Sequence, residues 1–462
     1  MRPSRIRDLI LILLFFIIFL TIWHNYRSIS FNPFEKEYPV NPPTEDFRQP
    51  LEDVSYACPP CKLDASESRS SAPQLSVELS TLQGMFTQRK LAVSQIVNSA
   101  DIALRNTSVY SVTIKPQLAP SGDRHDYLSL AKYFWPDESK PGGLPYIGRD
   151  GHINPEVEEV KDFRLLRQMM REVQTLGMAY FWTRNEEYAK KATERLNEWF
   201  LAEETYMNPN LNYASFRKGT KLGRRTGVLD MMQVYRMFDG VQYLRTSSHY
   251  TQNLHNGLIE WFTKYLEWFR NSPQGKLEYA SHNNHGTYYD VQHIALLRFL
   301  GRFDEAKKVA EESKVLRIDN EIRANGEQPG ELARPTSWFY SIFNLQGLIL
   351  LAQQAQHVGV DVWNHIGPEG QSIRQAMRFM LPYAVSGGAG WPVRNIKGFP
   401  VDDLYKVLEV GYLVYGDAEI WDTLKKLEAV RAAELKEKNL QAKGDFTCEL
   451  SILTNSQLWN CF

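Results

Sequence analysis

Within Ser281-His282-Asn283-Asn284-His285-Gly286-Thr287-Tyr288-Tyr289-Asp290 the chain gathers two imidazoles, two amides and two phenols. Imidazoles and phenols move protons, and amides donate and accept hydrogen bonds. The apolar run Ile294-Ala295-Leu296-Leu297 follows almost at once. Burying so polar a cluster is costly unless every group finds a partner. The stretch therefore belongs on a solvated loop or in a polar cleft, and a cleft would make the protein an enzyme. Further along, Glu331-Leu332-Ala333-Arg334-Pro335-Thr336-Ser337-Trp338-Phe339-Tyr340 adds a guanidinium and another phenol.

Other polar segments share this character. Ser121-Gly122-Asp123-Arg124-His125-Asp126-Tyr127 leads into Tyr133-Phe134-Trp135-Pro136 and then Leu144-Pro145-Tyr146-Ile147-Gly148-Arg149-Asp150-Gly151. Met207-Asn208-Pro209-Asn210-Leu211-Asn212-Tyr213 precedes Gly223-Arg224-Arg225-Thr226-Gly227. Gly390-Trp391-Pro392 and Lys397-Gly398-Phe399 come last. Long connections rich in polar and aromatic residues are more often sites than spacers.

The elements that position them are helical. Phe163, Leu166, Met169-Met170, Val173, Leu176 and Tyr180-Phe181 recur at three and four, one face of a helix. Tyr188, Ala192, Leu196 and Trp199 continue the pattern after a turn at Thr183-Arg184-Asn185-Glu186. Leu254, Leu258, Trp261-Phe262, Tyr265 and Trp268-Phe269 form another apolar face, closed by Asn271-Ser272-Pro273. Further helices are expected over 291–299, 303–316, 340–358, 371–383 and 401–415. Strand-like alternation is scarce, so the chain reads as mainly α, built of paired helices. Paired helices also describe a repeat scaffold, but no fixed period runs through the chain.

Ahead of this region, Arg2, Arg5 and Arg7 precede fifteen nearly apolar residues, Leu9 to Trp23. A basic segment before an apolar one is a targeting signal. With no small-residue cleavage site, and with Trp23 and Tyr26 at its end, residues 1–24 read as a signal anchor. A cleaved signal peptide is the alternative. Both put the rest of the chain outside the cytosol, as a single-pass type II membrane protein or a secreted one. Residues 25–74 are rich in proline and read as a stalk. A folded domain over 75–430 and an extension over 431–462 complete the chain. Asn106-Thr107-Ser108 is a glycosylation sequon that suits this topology. Cys58, Cys61, Cys448 and Cys461 flank the domain, as disulfides or free thiols, and have no zinc-like spacing. A net charge of −1 gives no nucleic-acid footprint.

The polar segments, taken in order, resemble the alginate-lyase superfamily of polysaccharide lyases. Asn284-His285 looks like its catalytic asparagine and histidine, and Arg334 with Tyr340 looks like its arginine and catalytic tyrosine. Residues 146–151 and 207–214 are similar to further motifs of the family, and the resemblance runs from about Asp123 to Trp421. It implies an α/α toroid, an incomplete barrel of helical hairpins, with a cleft for an acidic polysaccharide and no metal or other cofactor. This chain departs by one extra residue between the histidine and the next tyrosine, and by one fewer between the arginine and the catalytic tyrosine. A branch acting on polyglucuronate instead of alginate fits those departures.

The implied reaction removes the C5 proton of a 4-linked uronate and expels the C4 oxygen. Asn284, His285 and Arg334 suit the task of neutralising the carboxylate, because all three donate hydrogen bonds. Tyr340 is the candidate for proton transfer. At neutral pH its ionisation costs roughly 4 kcal/mol, and an adjacent Arg334 would recover about 1–3 pKa units. In mannuronate and glucuronate the hydrogen and the oxygen leave from one face, so Tyr340 can serve as base and acid in turn. In guluronate they lie on opposite faces, which makes His285 the base and Tyr340 the acid. Arg225 is a candidate for binding substrate acid groups or for a structural ion pair. Asn208 and Asn212 line the cleft or form turns. Asp126, Tyr127 and Tyr288 complete the candidate substrate-binding set. The rival readings are a non-catalytic acidic-carbohydrate-binding protein, and a helical-repeat interaction scaffold in which the four groups do not converge.

Overall fold

The structure, a computed structural model, describes residues 93–437. The N-terminal anchor, the stalk, the cysteines and most of the C-terminal extension lie outside those residues. Among the described residues no helix is long and apolar enough to cross a membrane.

The helices are α1 (93–105), α2 (Asp162–Thr183), α3 (Glu186–Phe200), α4 (Val234–Leu244), α5 (Gln252–Asn271), α6 (Pro273–Tyr279), α7 (Asn284–Phe299), α8 (Phe303–Ser313), α9 (Pro329–Leu332), α10 (Ser337–Gln356), α11 (Ile373–Val385), α12 (Asp402–Tyr415) and α13 (Ala418–Glu437). Their ends follow local chemistry. Arg184 takes a left-handed φ of 56° to stop α2, and Asn185 then caps α3 by accepting from the Glu187 N–H. The Thr251 hydroxyl caps α5, which buries Leu254, Leu258, Trp261, Phe262, Tyr265, Leu266 and Phe269. Burying each such side chain contributes roughly 1.5–3 kcal/mol. Ser272 ends α5 and caps α6, with Pro273 at the first position, where its missing N–H costs nothing.

Helices α2, α4, α7, α10 and α12 form one row, each packed on the next, and α3, α5, α8, α11 and α13 cover them. This is the two-layer arrangement of hairpins expected for an α/α toroid. Where α2 crosses α4, a Cβ on Gly177 would stand 2.5 Å from the Gly240 carbonyl oxygen, so only glycine permits the approach. Helices α7 and α10 are buried on nearly every side, and so carry no polar stripe. The helical pattern is legible only from Val291, yet α7 starts at Asn284, inside the polar stretch.

Two small sheets are additions to the expected helices. β1 (Leu128–Leu130) pairs in parallel with β4 (Tyr213–Phe216). β2 (Phe134–Trp135) pairs antiparallel with β3 (Ile147–Gly148). They belong to the segments that precede α2 and α4. Every polar segment singled out in the sequence precedes or opens a helix of the inner row. Helix N-termini favour negative charge, so this placement suits an acidic ligand. At the sequon, the Asn106 amide nitrogen donates to the Tyr110 hydroxyl and to Glu172 at 3.1 Å. A glycan on that nitrogen would displace these bonds.

Candidate active site

Asn283 caps α7 by accepting from the His285 N–H at 3.2 Å. The imidazole then turns back so that Nδ1 meets Glu278 Oε1. The Glu278 side chain is fully buried, and its second oxygen accepts from Arg225 Nη1 at 2.7 Å. A carboxylate at Nδ1 holds the ring proton there and leaves the lone pair on Nε2. Among the described residues Nε2 has no hydrogen-bond partner, and the side chain keeps 15 % exposure. A nitrogen placed so can accept a proton.

The loop that carries this pair is clamped from below. After α8 the chain widens into a π-turn over Lys314–Asp319, which brings Arg317 into the core. Its guanidinium donates to Asp290 at 2.7 Å, to the Ser281 carbonyl at 2.7 Å and to the Tyr279 carbonyl at 2.9 Å. Gly286 makes room for it, because a Cβ there would lie 2.2 Å from Arg317 Nη1. The glycine of the Asn-Asn-His-Gly run is thus a steric requirement.

The Arg334 guanidinium lies 3.7 Å from the centre of the Tyr340 ring. It forms a fork to Asp150 at 2.9 and 2.8 Å. The Tyr340 hydroxyl meets that of Tyr133 at 2.9 Å. Burial, reinforced by Tyr133, outweighs Arg334 and holds the Tyr340 phenol above its ordinary pKa. The expected lowering by Arg334 is present but smaller than the effect of burial. Its charge is shared with Asp150, and it stacks on the ring face. In this state Tyr340 is a neutral phenol, able to donate a proton.

Glu331 in α9 ties the two halves together. Its carboxylate accepts from the Asn284 N–H at 2.6 Å and from Asn284 Nδ2 at 3.0 and 2.8 Å. Both residues are 1 % exposed. Burial pushes Glu331 up to about 7, against the pull of Asn284 and Arg334. The Asn284 nitrogen is therefore engaged by a protein carboxylate, where the sequence reading gave it to the substrate.

The remaining candidates divide. Arg225 reaches the site through Glu278 and is 38 % exposed, so both of its expected roles are open to it. Asp126 is buried between Ser121 and Asn208, at 2.6 and 2.9 Å, and joins two loops. Tyr127 is buried with its hydroxyl on Asp230 at 3.0 Å. Asn212 accepts from Trp268 at 2.7 Å. Tyr288 stacks on Phe343 and donates to its carbonyl at 3.1 Å. These five place their polar groups on protein partners in the scaffold. Sequence reasoning left Glu278, Glu331, Tyr133 and Asp150 without roles. The last three stand inside motifs already singled out, whereas nothing in Lys276-Leu277-Glu278-Tyr279 distinguishes the glutamate.

The alginate lyase family matches residues 111–391. A solved alginate lyase from Bacteroides ovatus is 36% identical, with a TM-score of 0.68 over 73% of this chain and 89% of that one. An alginate lyase from Sphingomonas species A1 is 17% identical, with a TM-score of 0.47 over 70% of this chain and 88% of that one. No curated protein matches. The family match spans His285, Tyr340 and the Glu331 carboxylate that holds Asn284, and the chain belongs to the alginate lyase family of polysaccharide lyases.

Proposed function

We propose that the chain cleaves 4-linked uronate polymers of the alginate type by β-elimination, with His285 as base and Tyr340 as acid. The observation that carries this is the pairing of Glu278 with His285 Nδ1, in a chain whose Tyr340 phenol burial keeps neutral. Arg334 supplies positive charge for the substrate carboxylate as the C5 proton leaves. A base and an acid on separate residues suit guluronate, whose hydrogen and leaving oxygen lie on opposite faces. With mannuronate or glucuronate, Tyr340 would have to ionise first, against its burial. Guluronate-rich alginate is therefore the preferred substrate, and polyglucuronate the weaker one. The test is unsaturated uronate product from guluronate blocks, mannuronate blocks and polyglucuronate. Equal or faster release from polyglucuronate would sink this assignment of base and acid.

The N-terminal segment fits a signal anchor with the catalytic domain outside the cytosol, as its basic and apolar residues suggest. Protease protection of the full chain in sealed microsomes tests this, and digestion of the domain from the cytosolic side would overturn it.

A further inference from the structure

Arg217 and Arg225 both lie near Arg224, and Arg224 and Arg225 lie near the Glu278 carboxylate. Glu278 takes Arg225 at 2.7 Å and His285 with its other oxygen. Arg217 and Arg224 form no ion pair among the described residues. Their guanidiniums instead sit 5.5 and 4.4 Å from the centre of the Phe134 ring, and Arg217 Nε is buried with no hydrogen bond. Burial and the neighbouring Arg225 and Arg217 weaken the hold of Arg224 on its proton, and the Glu278 carboxylate offsets only part of this. Like charges held this close are mutually destabilising, and a folded chain keeps such an arrangement where an anion relieves it. The backbone is shaped for the cluster: a Cβ on Gly223 would stand 2.2 Å from the Ala214 carbonyl oxygen, so the loop lies flat on β4. The cluster borders the site at both ends, since Phe134 follows Tyr133, the partner of Tyr340, and Arg225 is bonded to the partner of His285.

We propose that Arg217 and Arg224, stacked on Phe134 beside Arg225, form an anion subsite for the carboxylate of a neighbouring uronate unit, away from the bond that breaks. The subsite rests on the lyase reading for its ligand, an acidic polysaccharide. It binds by charge and by stacking, so it discriminates charged from neutral sugar units and long chains from short ones.

The test compares wild type with Arg217→Gln, Arg224→Gln and the double variant on alginate oligomers of graded length, following unsaturated product. The double variant is expected to raise KM about tenfold on the longer oligomers, with kcat and the shortest cleavable oligomer unaffected. A rise shared by all lengths, or none, overturns the subsite. Arg224→Lys keeps the charge and is expected to recover part of the loss, and no recovery contradicts an anion subsite. If the glutamine variants unfold, wild type is given oligomers with carboxyl groups reduced at units remote from the scissile bond. Weaker binding of those oligomers supports the subsite, and equal binding overturns it. Absence of product from wild type on every uronate polymer is a failure of the lyase reading. Calorimetric binding of charged and carboxyl-reduced oligomers, with the preference for charge lost in the double variant, then decides the subsite separately.

Discussion

The two halves of the site solve opposite problems with similar parts. Around His285 a buried carboxylate meets an imidazole, which fixes one tautomer and leaves a free lone pair. Around Tyr340 the carboxylate of Asp150 meets an arginine, so the cation that could have ionised the phenol is already shared. One half is prepared to take a proton and the other to give one. Environment makes the difference, as it does wherever paired acid and base groups are pushed apart.

Substitutions can break this contrast. Tyr340→Phe removes the acid while keeping the ring under Arg334, and should lower kcat about 10³-fold with little change in KM. His285→Ala should cost a comparable factor, and Glu278→Gln about 10²-fold, because an amide no longer holds the tautomer. A Glu278→Gln variant with full activity would remove the basis for calling His285 the base. Tyr133→Phe sharpens the other half: losing one hydroxyl partner should cost about tenfold in kcat, measured in the same assay.

Glu331 gives a pH test. Its pKa in the folded chain, about 7, exceeds the ordinary value of about 4.3, so folding favours its protonated form. Its stabilising share is complete below that ordinary value and is lost as pH rises through about 7. The melting temperature of wild type should fall across this window, and Glu331→Gln should flatten that part of the profile. An unchanged slope would show that Glu331 is not the titrating group. The smallest effect is expected from Tyr288→Phe, which forfeits one buried hydrogen bond of about 1 kcal/mol and should leave turnover alone.

These variants also mark how much the sequence disclosed. Amphipathic helices such as α3 and α5 were legible because one side of each faces solvent. The start of α7 was hidden because its polar residues are buried and satisfied by Glu331, Glu321 and Arg317, which come from distant parts of the chain. The same long-range partnering decides roles at the site. Asn284, His285, Arg334 and Tyr340 could be named from their motifs, whereas the groups that set their protonation could not. Glu278 stands seven residues from His285, in a short helix with no mark of its own. Asp150 lies far from Arg334 in sequence, and their fork exists only after the residues that follow β3 fold against the segment between α9 and α10. Asp126, Tyr127 and Tyr288 carried the right chemistry for a cleft, but the fold spends it on loop and helix packing.

The most direct measurement of the central claim is the rate of unsaturated product release from guluronate blocks by wild type, Glu278→Gln and Tyr340→Phe across pH. Wild type should release product, Tyr340→Phe should lose it at every pH, and Glu278→Gln should lose the portion that depends on His285 as base. Undiminished product from either variant would contradict it.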